Sequence, residues 1–228
     1  MIRMVVFDMA GTTVNEDNVV YKTLQKAINE EGFDFTLKQV LAEGAGMEKL
    51  QAIKSVLKVF GNVEDDAVAY KIYTRFIIML ETAYDTMDIL PQDNAAATFR
   101  ELKNRNILVV LNTGYNSATA ESLITKLGWT KGVEFDGLVT ASDVQHNRPE
   151  PDMILLAMEQ FDITDAAEVI KIGDSTIDIE EGRNAGCAFN VGITTGAHTR
   201  EQLETANPSF ILENLLQLVE KLDIISNN

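Results

Sequence analysis

The sequence predicts an α/β fold, a doubly wound Rossmann-like parallel sheet with an inserted α-helical unit. Three observations predict it. From about residue 90 onward, short apolar runs of strand length alternate with helical patterns. One further run of this kind, Ile2–Phe7, stands alone at the N-terminus. Between the two lies a stretch, about Asn18–Tyr84, that shows helical periodicity only. Parallel strands with right-handed crossovers account for the alternation. The parse is a core built from residues 1–14 and 90–228, with a helical unit at 15–89.

Each element has its own signal. Ile2–Phe7 is apolar throughout except at Arg3 and ends at Asp8 and a Gly11-Thr12-Thr13 turn. Val20, Leu24, Ala27 and Ile28 mark the apolar face of a first helix, which Gly32 stops. Thr36–Ala42 reads as a shorter helix, broken by Gly44-Ala45-Gly46. A third helix follows with Leu50, Ile53, Leu57 and Phe60 on one side, and a fourth with Val68, Ile72, Phe76, Met79 and Ala83. In the second half, helices are expected at Gln92–Asn104, Asn116–Leu127, Pro151–Gln160, Ile177–Asn184 and Leu215–Leu222. The strands expected between and after them are Ile107–Leu111, Phe135–Thr140, Val169–Ile172, Phe189–Ile193 and Phe210–Leu212.

Composition narrows the partner class. The 228 residues carry 35 acidic and 19 basic side chains, a formal charge of −16. A surface this negative repels phosphate backbones and anionic headgroups, which argues against nucleic acid and membrane as partners. No apolar run nears the roughly 18 residues a spanning helix needs. The N-terminus lacks the basic head and apolar stretch of a signal peptide. Cys187 is the lone cysteine, which removes an internal disulfide framework and suits a reducing compartment. These signs point to the cytoplasm. An exposed face of the helical unit is a surface on which two copies can pair as a homodimer.

In a doubly wound sheet, ligands bind at the carboxyl ends of the strands. The residues there are Asp8, Thr113-Gly114 and Asp174, with Asp178 one helical turn further on and Arg148 in a loop. Carboxylates gathered at one sheet edge repel each other unless a cation lies between them, and oxygen ligands favour Mg²⁺. The backbone N–H groups of Gly11, Thr12 and Gly114 are candidates to hold an anion. Arg148 adds positive charge in a fork geometry. The set describes metal-assisted phosphoryl transfer with a carboxylate nucleophile.

Four segments carry a resemblance. Asp8-Met9-Ala10-Gly11-Thr12-Thr13-Val14, Leu111-Asn112-Thr113-Gly114, Asn147-Arg148-Pro149-Glu150-Pro151-Asp152 and Ile172-Gly173-Asp174-Ser175-Thr176-Ile177-Asp178 resemble the four ordered motifs of the haloacid dehalogenase (HAD) superfamily. The resemblance implies a HAD core with a helical cap domain and Mg²⁺ as cofactor. It implies that Asp8 forms an aspartyl-phosphate, Thr113 holds a phosphoryl oxygen and Arg148 replaces the usual lysine. By the same resemblance Asp174 ligates the metal, Asp178 supports it and the Ala10 carbonyl faces it.

Most phosphatases of this superfamily carry an acid two residues after the nucleophile, where this chain has Ala10. Phosphonoacetaldehyde hydrolases share the Asp-x-Ala-Gly-Thr-Thr-Val pattern, an arginine before Pro149, and the run Glu181-Gly182-Arg183-Asn184-Ala185-Gly186. In that family a cap lysine forms a Schiff base with the substrate aldehyde, so the leaving group is an enamine. Gly46-Met47-Glu48-Lys49-Leu50 resembles the segment that bears this lysine. Lys49 is therefore a candidate catalytic residue, with Gly46 and Met47 facing substrate. Asn147 and Ala52 stand where that family favours glycine and histidine. The expected substrate is a small phosphonate or phosphate ester. The alternatives are a phosphomonoesterase of the phosphoglycolate or sugar-phosphate kind, and a phosphate-ester-binding protein without turnover. His146 and His198 show no partner spacing and read as loop residues.

Overall fold

The computed structural model describes residues 1–226. The chain begins with β1 (Met4–Asp8), in which every residue is buried. A strand buried on both faces must be covered by helices on both faces, so β1 lies at the centre of a sheet. A tight turn leads to β2 (Val14–Asn15). Four helices follow: α1 (Val19–Asn29), α2 (Leu37–Gly44), α3 (Lys49–Gly61) and α4 (Asp66–Thr86). Then β3 (Leu90–Pro91) pairs antiparallel with β2, so the outgoing and returning chain run side by side.

The remaining chain alternates: α5 (Ala95–Asn104), β4 (Leu108–Thr113), α6 (Ser117–Leu127), β5 (Gly137–Thr140), α7 (Asp152–Gln160), β6 (Val169–Gly173), α8 (Thr176–Ala185), β7 (Phe189–Ile193), α9 (Arg200–Glu204), β8 (Phe210–Leu212) and α10 (Leu216–Ser226). The sheet order is β5-β4-β1-β6-β7-β8, and its pairings are parallel. The chain builds outward from β1 on one side, then restarts at β6 on the other. That reversal opens a crevice at the carboxyl ends of β1, β4 and β6.

The α/β class and the central helical stretch agree with the sequence pattern. Some boundaries differ, each for a physical reason. β4 continues two residues past the expected Leu111, because Asp8 pairs with Asn112 and Thr113 with Thr140. Polar residues can end a buried strand when their side chains find partners in the site beyond it. In α4 the buried register is Ala69, Ile72, Phe76, Leu80 and Tyr84, while Val68, Met79 and Ala83 are half-buried. In α3 it is Lys49, Ala52, Ile53, Val56 and Leu57, while Phe60 is exposed. Both faces are rotated toward the core, which packs against one flank of each helix. The short pair β2–β3 and the short α9 had no periodic signal of their own.

Side chains define where the helices start. Glu48 caps α3 by accepting from Leu50 and Gln51 N–H, and Asp65 caps α4 by accepting from Ala67 and Val68. Thr36 and Gln39 form a capping box on α2. The α2–α3 turn, Ala45–Glu48, is held at one end by Ala45 N–H donating to Leu41 O and at the other by the Glu48 cap. No helix among the described residues is long and apolar enough to cross a membrane.

Candidate active site

Asp8 closes β1, Thr113 closes β4, and Asp174 follows β6, so the sheet brings three predicted residues to one edge. α8 adds Asp178. One oxygen from each of Asp8, Asp174 and Asp178 falls in a common cluster with spacings within 4.8 Å, and all three residues are buried.

Arg148 reaches this cluster from its loop, with its side chain fully buried. Nη1 donates to Asp8 Oδ1 at 2.7 Å and lies 2.9 Å from Asp178 Oδ1. Nε donates to Glu181 at 2.9 Å, and Nη2 to the Asn112 side-chain oxygen at 2.7 Å. Beside it lies Lys171, wholly buried within β6. Its Nζ donates to Asn112 Oδ1 and Asp178 Oδ1, each at 2.8 Å. Lys171, Asn112 and Glu181 have no assigned role in the motif reading. A lysine inside the apolar run Val169-Ile170-Lys171-Ile172 is the signal that could have revealed them. A charge on a doubly covered strand requires a buried counter-charge.

The two cations divide the carboxylates into two kinds. Burial opposes ionisation of Asp178, but Arg148 and Lys171 outweigh it and hold its carboxyl below the usual range. Asp8 is raised, first by burial and then by repulsion from Asp178, with Arg148 pulling it back. Asp174 is raised well above the ordinary value by burial and by the Asp8 and Asp178 charges. Asp174 Oδ2 accepts from Ala197 N–H at 2.6 Å, and no side-chain cation pairs with it among the described residues. The charges of Arg148 and Lys171 do not balance those of Asp8, Asp174, Asp178 and Glu181. A hard dication between Asp8 and Asp174 fits that deficit and that all-oxygen donor set.

The turn after β1 corrects one expectation. Gly11 N–H donates to Val14 O at 2.9 Å and Thr12 N–H to Met9 O at 3.2 Å, so neither amide is aimed at an anion. The tight turn consumes both. Thr12 instead presents a buried hydroxyl with no partner, a group that a bound oxyanion can satisfy. Gly11 has φ +80° and lies against Asp174, where no side chain fits.

The helical unit closes over this edge. The Tyr21 hydroxyl accepts from Gly46 N–H at 2.8 Å, and the Gly46 carbonyl accepts from Arg148 at 3.3 Å. A Cβ on Gly114 would lie 2.7 Å from the Met47 carbonyl, so the two loops touch by backbone. His198 lies in the loop between β7 and α9, as expected, and is also part of this seam. Its Nδ1 accepts from Thr176 N–H at 3.1 Å, and its Nε2 lies 3.3 Å from Leu41 O. His146 pairs with Asp152 at the surface, 3.0 Å away.

Lys49 occupies the first turn of α3, yet it is only 6% exposed. Its Nζ donates to Met47 O at 2.6 Å and lies over the rings of Tyr115 and Tyr21, 5.3 and 5.4 Å from their centroids. Burial lowers its pKa to about 8, against the pull of Asp8 and Glu48. A cleft of about 920 Å³, lined by Met47, Gln51, Lys54, Asn147 and Arg148 among others, runs beside this seam.

Comparison with known proteins agrees with this geometry. Residues 5–192 match the family described as haloacid dehalogenase-like hydrolase. A phosphonoacetaldehyde hydrolase of Bordetella avium is 30% identical over 84% of this chain and 71% of its own length. One from Bacillus cereus is 27% identical over 99% of this chain and 87% of its own. The crystal structure of a phosphonoacetaldehyde hydrolase-like protein from Oleispira antarctica superposes with a TM-score of 0.83, covering 99% of this chain and 93% of that one at 20% identity. A six-stranded parallel sheet with Asp8 and Asp174 at the carboxyl ends of two of its strands, together with a family match over most of the length, leads to one assignment: the chain belongs to the haloacid dehalogenase-like hydrolases, in their phosphonatase-like branch.

Proposed function

We propose that this hydrolase cleaves a small phosphonate bearing a carbonyl group, of the phosphonoacetaldehyde kind, with Asp8 as nucleophile and Lys49 as the carbonyl-binding amine. One observation carries the proposal. Lys49 is buried with a depressed pKa and close enough to feel the Asp8 charge, while Ala10 puts no acid where a phosphomonoester needs one. Residues 15–89 act as the cap and residues 1–14 and 90–228 as the core. The lone buried Cys187 suits a cytoplasmic setting.

The Lys49 amine condenses with the carbonyl and water leaves. An Asp8 oxygen then attacks phosphorus in line, the P–C bond breaks, and its electron pair becomes the enamine of the Lys49 imine. Arg148 holds Asp8 in place and adds positive charge beside the phosphoryl oxygens. Thr113 and Thr12 offer hydroxyls to the same oxygens. Asp8, Asp174 and the Ala10 carbonyl would hold Mg²⁺, with Asp178 supporting; bound there, it neutralises phosphoryl charge. Water then cleaves the aspartyl-phosphate. Closure at Gly46 and Met47 keeps bulk water out.

The test is phosphate release from phosphonoacetaldehyde against a panel of phosphomonoesters, with Mg²⁺ present. Borohydride added with the aldehyde should fix one adduct on Lys49. Absence of the adduct, with activity kept in Lys49→Arg, removes the Schiff base. Turnover of the monoesters alone favours the phosphatase reading.

A further inference from the structure

We propose that Glu16 is a proton store for the cap side of the site, connected through Tyr84 and Tyr115 to the pocket that holds Lys49. The proposal rests on the carbonyl-phosphonate reading above. Glu16 is only 2% exposed, an unusual place for a carboxylate with no cation paired to it among the described residues. Its Oε2 accepts from Val20 N–H at 2.8 Å and from the Tyr84 hydroxyl at 3.2 Å. The Tyr84 and Tyr115 hydroxyls are 2.7 Å apart, and either can donate. The Tyr115 ring lies under Lys49 Nζ. An unbroken chain therefore runs from a buried carboxyl on the approach to α1, across α4, to the residue after Gly114 at the mouth of β4.

The chain supplies what Ala10 lacks. Once the P–C bond has broken, the enamine carbon must gain a proton before the imine can be hydrolysed. Tyr115 gives its hydroxyl proton to that carbon and takes one from Tyr84. Tyr84 takes one from Glu16, which is left as carboxylate. Water then hydrolyses the imine, frees the Lys49 amine and releases acetaldehyde. Hydrolysis of the protonated imine releases one proton, which returns to Glu16 through Tyr115 and Tyr84 before the next turnover. The direction of the hydrogen bonds follows the charge. With Glu16 ionised, Tyr84 donates to it; with Glu16 protonated, Tyr84 is free to donate to Tyr115, whose own hydrogen is then no longer held in that contact.

Burial raises Glu16 to about 7, so both forms are populated near neutrality. The charged and titratable groups facing it are Lys22 from α1, Lys49 from α3, Tyr84 from α4 and, beyond that, Tyr21 and Tyr115. Facing Lys49 are Asp8, Glu48, Arg148 and Glu16.

The test compares wild type, Glu16→Gln and Tyr84→Phe in single turnovers of phosphonoacetaldehyde, with phosphate and acetaldehyde followed separately across pH. Glutamine keeps the hydrogen bonds to Val20 and Tyr84 but carries no transferable proton; phenylalanine keeps the carboxylate and cuts the chain. In both variants, phosphate should appear at close to the wild-type rate. Acetaldehyde should lag by on the order of 10²-fold, a typical loss for a positioned acid. The wild-type fall in acetaldehyde release above about pH 7 should vanish with Glu16→Gln. The two products slowing in parallel, or neither slowing, overturns the proton store and leaves Glu16 as a cap on α1. If wild type forms neither product, the carbonyl-phosphonate reading falls on its own. An alkyl phosphate then decides the store, because its alkoxide also needs a proton: a loss of the same order in both variants supports it, and an unchanged rate overturns it.

Discussion

The Arg148 guanidinium donates to Asp8 Oδ1 at 2.7 Å from a position with no exposed side-chain surface. The same fork binds Glu181 and Asn112, so it ties the end of β1 to α8 and β4. Removing it strands buried carboxylates. Arg148→Ala should lower stability by about 3–5 kcal/mol, the usual cost of breaking a buried pair. Arg148→Lys cannot span the three partners and should lose at least about 10²-fold in kcat while staying folded. Urea denaturation and phosphate release check the pair. Wild-type turnover in Arg148→Lys would show that charge alone suffices.

The imbalance around Asp174 predicts a metal-dependent stability. Added Mg²⁺ should raise the melting temperature by on the order of 5 °C at saturating concentration. Asp174→Asn should remove most of that rise. The measurement is a thermal scan with and without chelator, so it does not depend on catalysis. An equal rise in Asp174→Asn would place the ion elsewhere.

Lys49 is a nucleophile only as the free amine. Its pKa is lowered to about 8, so the reactive fraction rises as pH climbs through 8 rather than through the ordinary lysine range. The rate of borohydride trapping with a saturating aldehyde should follow that curve, read as adduct mass on a Lys49 peptide. Asp8→Asn removes the first of the charges that stabilise the ammonium, so the midpoint should move down. An upward movement contradicts the electrostatic account.

Gly46 has φ +76°, and a Cβ there would collide with Ile177 and Ser175. Gly46→Ala should therefore push the α2–α3 turn away from the core. Left-handed strain costs about 1–2 kcal/mol for a non-glycine residue, so the fold should survive. KM should rise by about tenfold or more, and hydrogen exchange at Ala45–Glu48 should quicken. Unchanged exchange with unchanged KM would mean that the seam has slack.

Much of the site was legible because its residues sit at the ends of apolar runs. Asp8, Thr113 and Asp174 each follow a run short enough to be only a strand, and order along the chain placed them on one edge. Arg148 was legible from its motif, but its reach to Glu181 and Asn112 was not. Lys171 and Glu16 were missed for a related reason. Lys171 lies inside an apolar run and Glu16 inside the polar stretch Asn15-Glu16-Asp17-Asn18, and in both cases the side chain's burial is set by neighbours distant in sequence. Asn112 is paired through β1, Arg148, Lys171 and Glu181, none of them within thirty positions of it along the chain. Gly11 and Thr12 show the converse: their motif suggests free amides, and the turn they form occupies both.

Periodicity and strand-end chemistry, both local properties, were enough to name the α/β class, the helical insert and the carboxylate edge. The local pattern left Lys49 as an ordinary helix lysine unless a family resemblance was invoked. Its burial between Tyr21 and Tyr115 comes from α1 and the loop after β4 closing on it. The same closure sets its pKa, because desolvation depends on everything packed around an amine and not on its place along the chain. The division of the acids into a paired Asp178 and a raised Asp8 and Asp174 likewise exists only once Arg148 and Lys171 have folded in beside them.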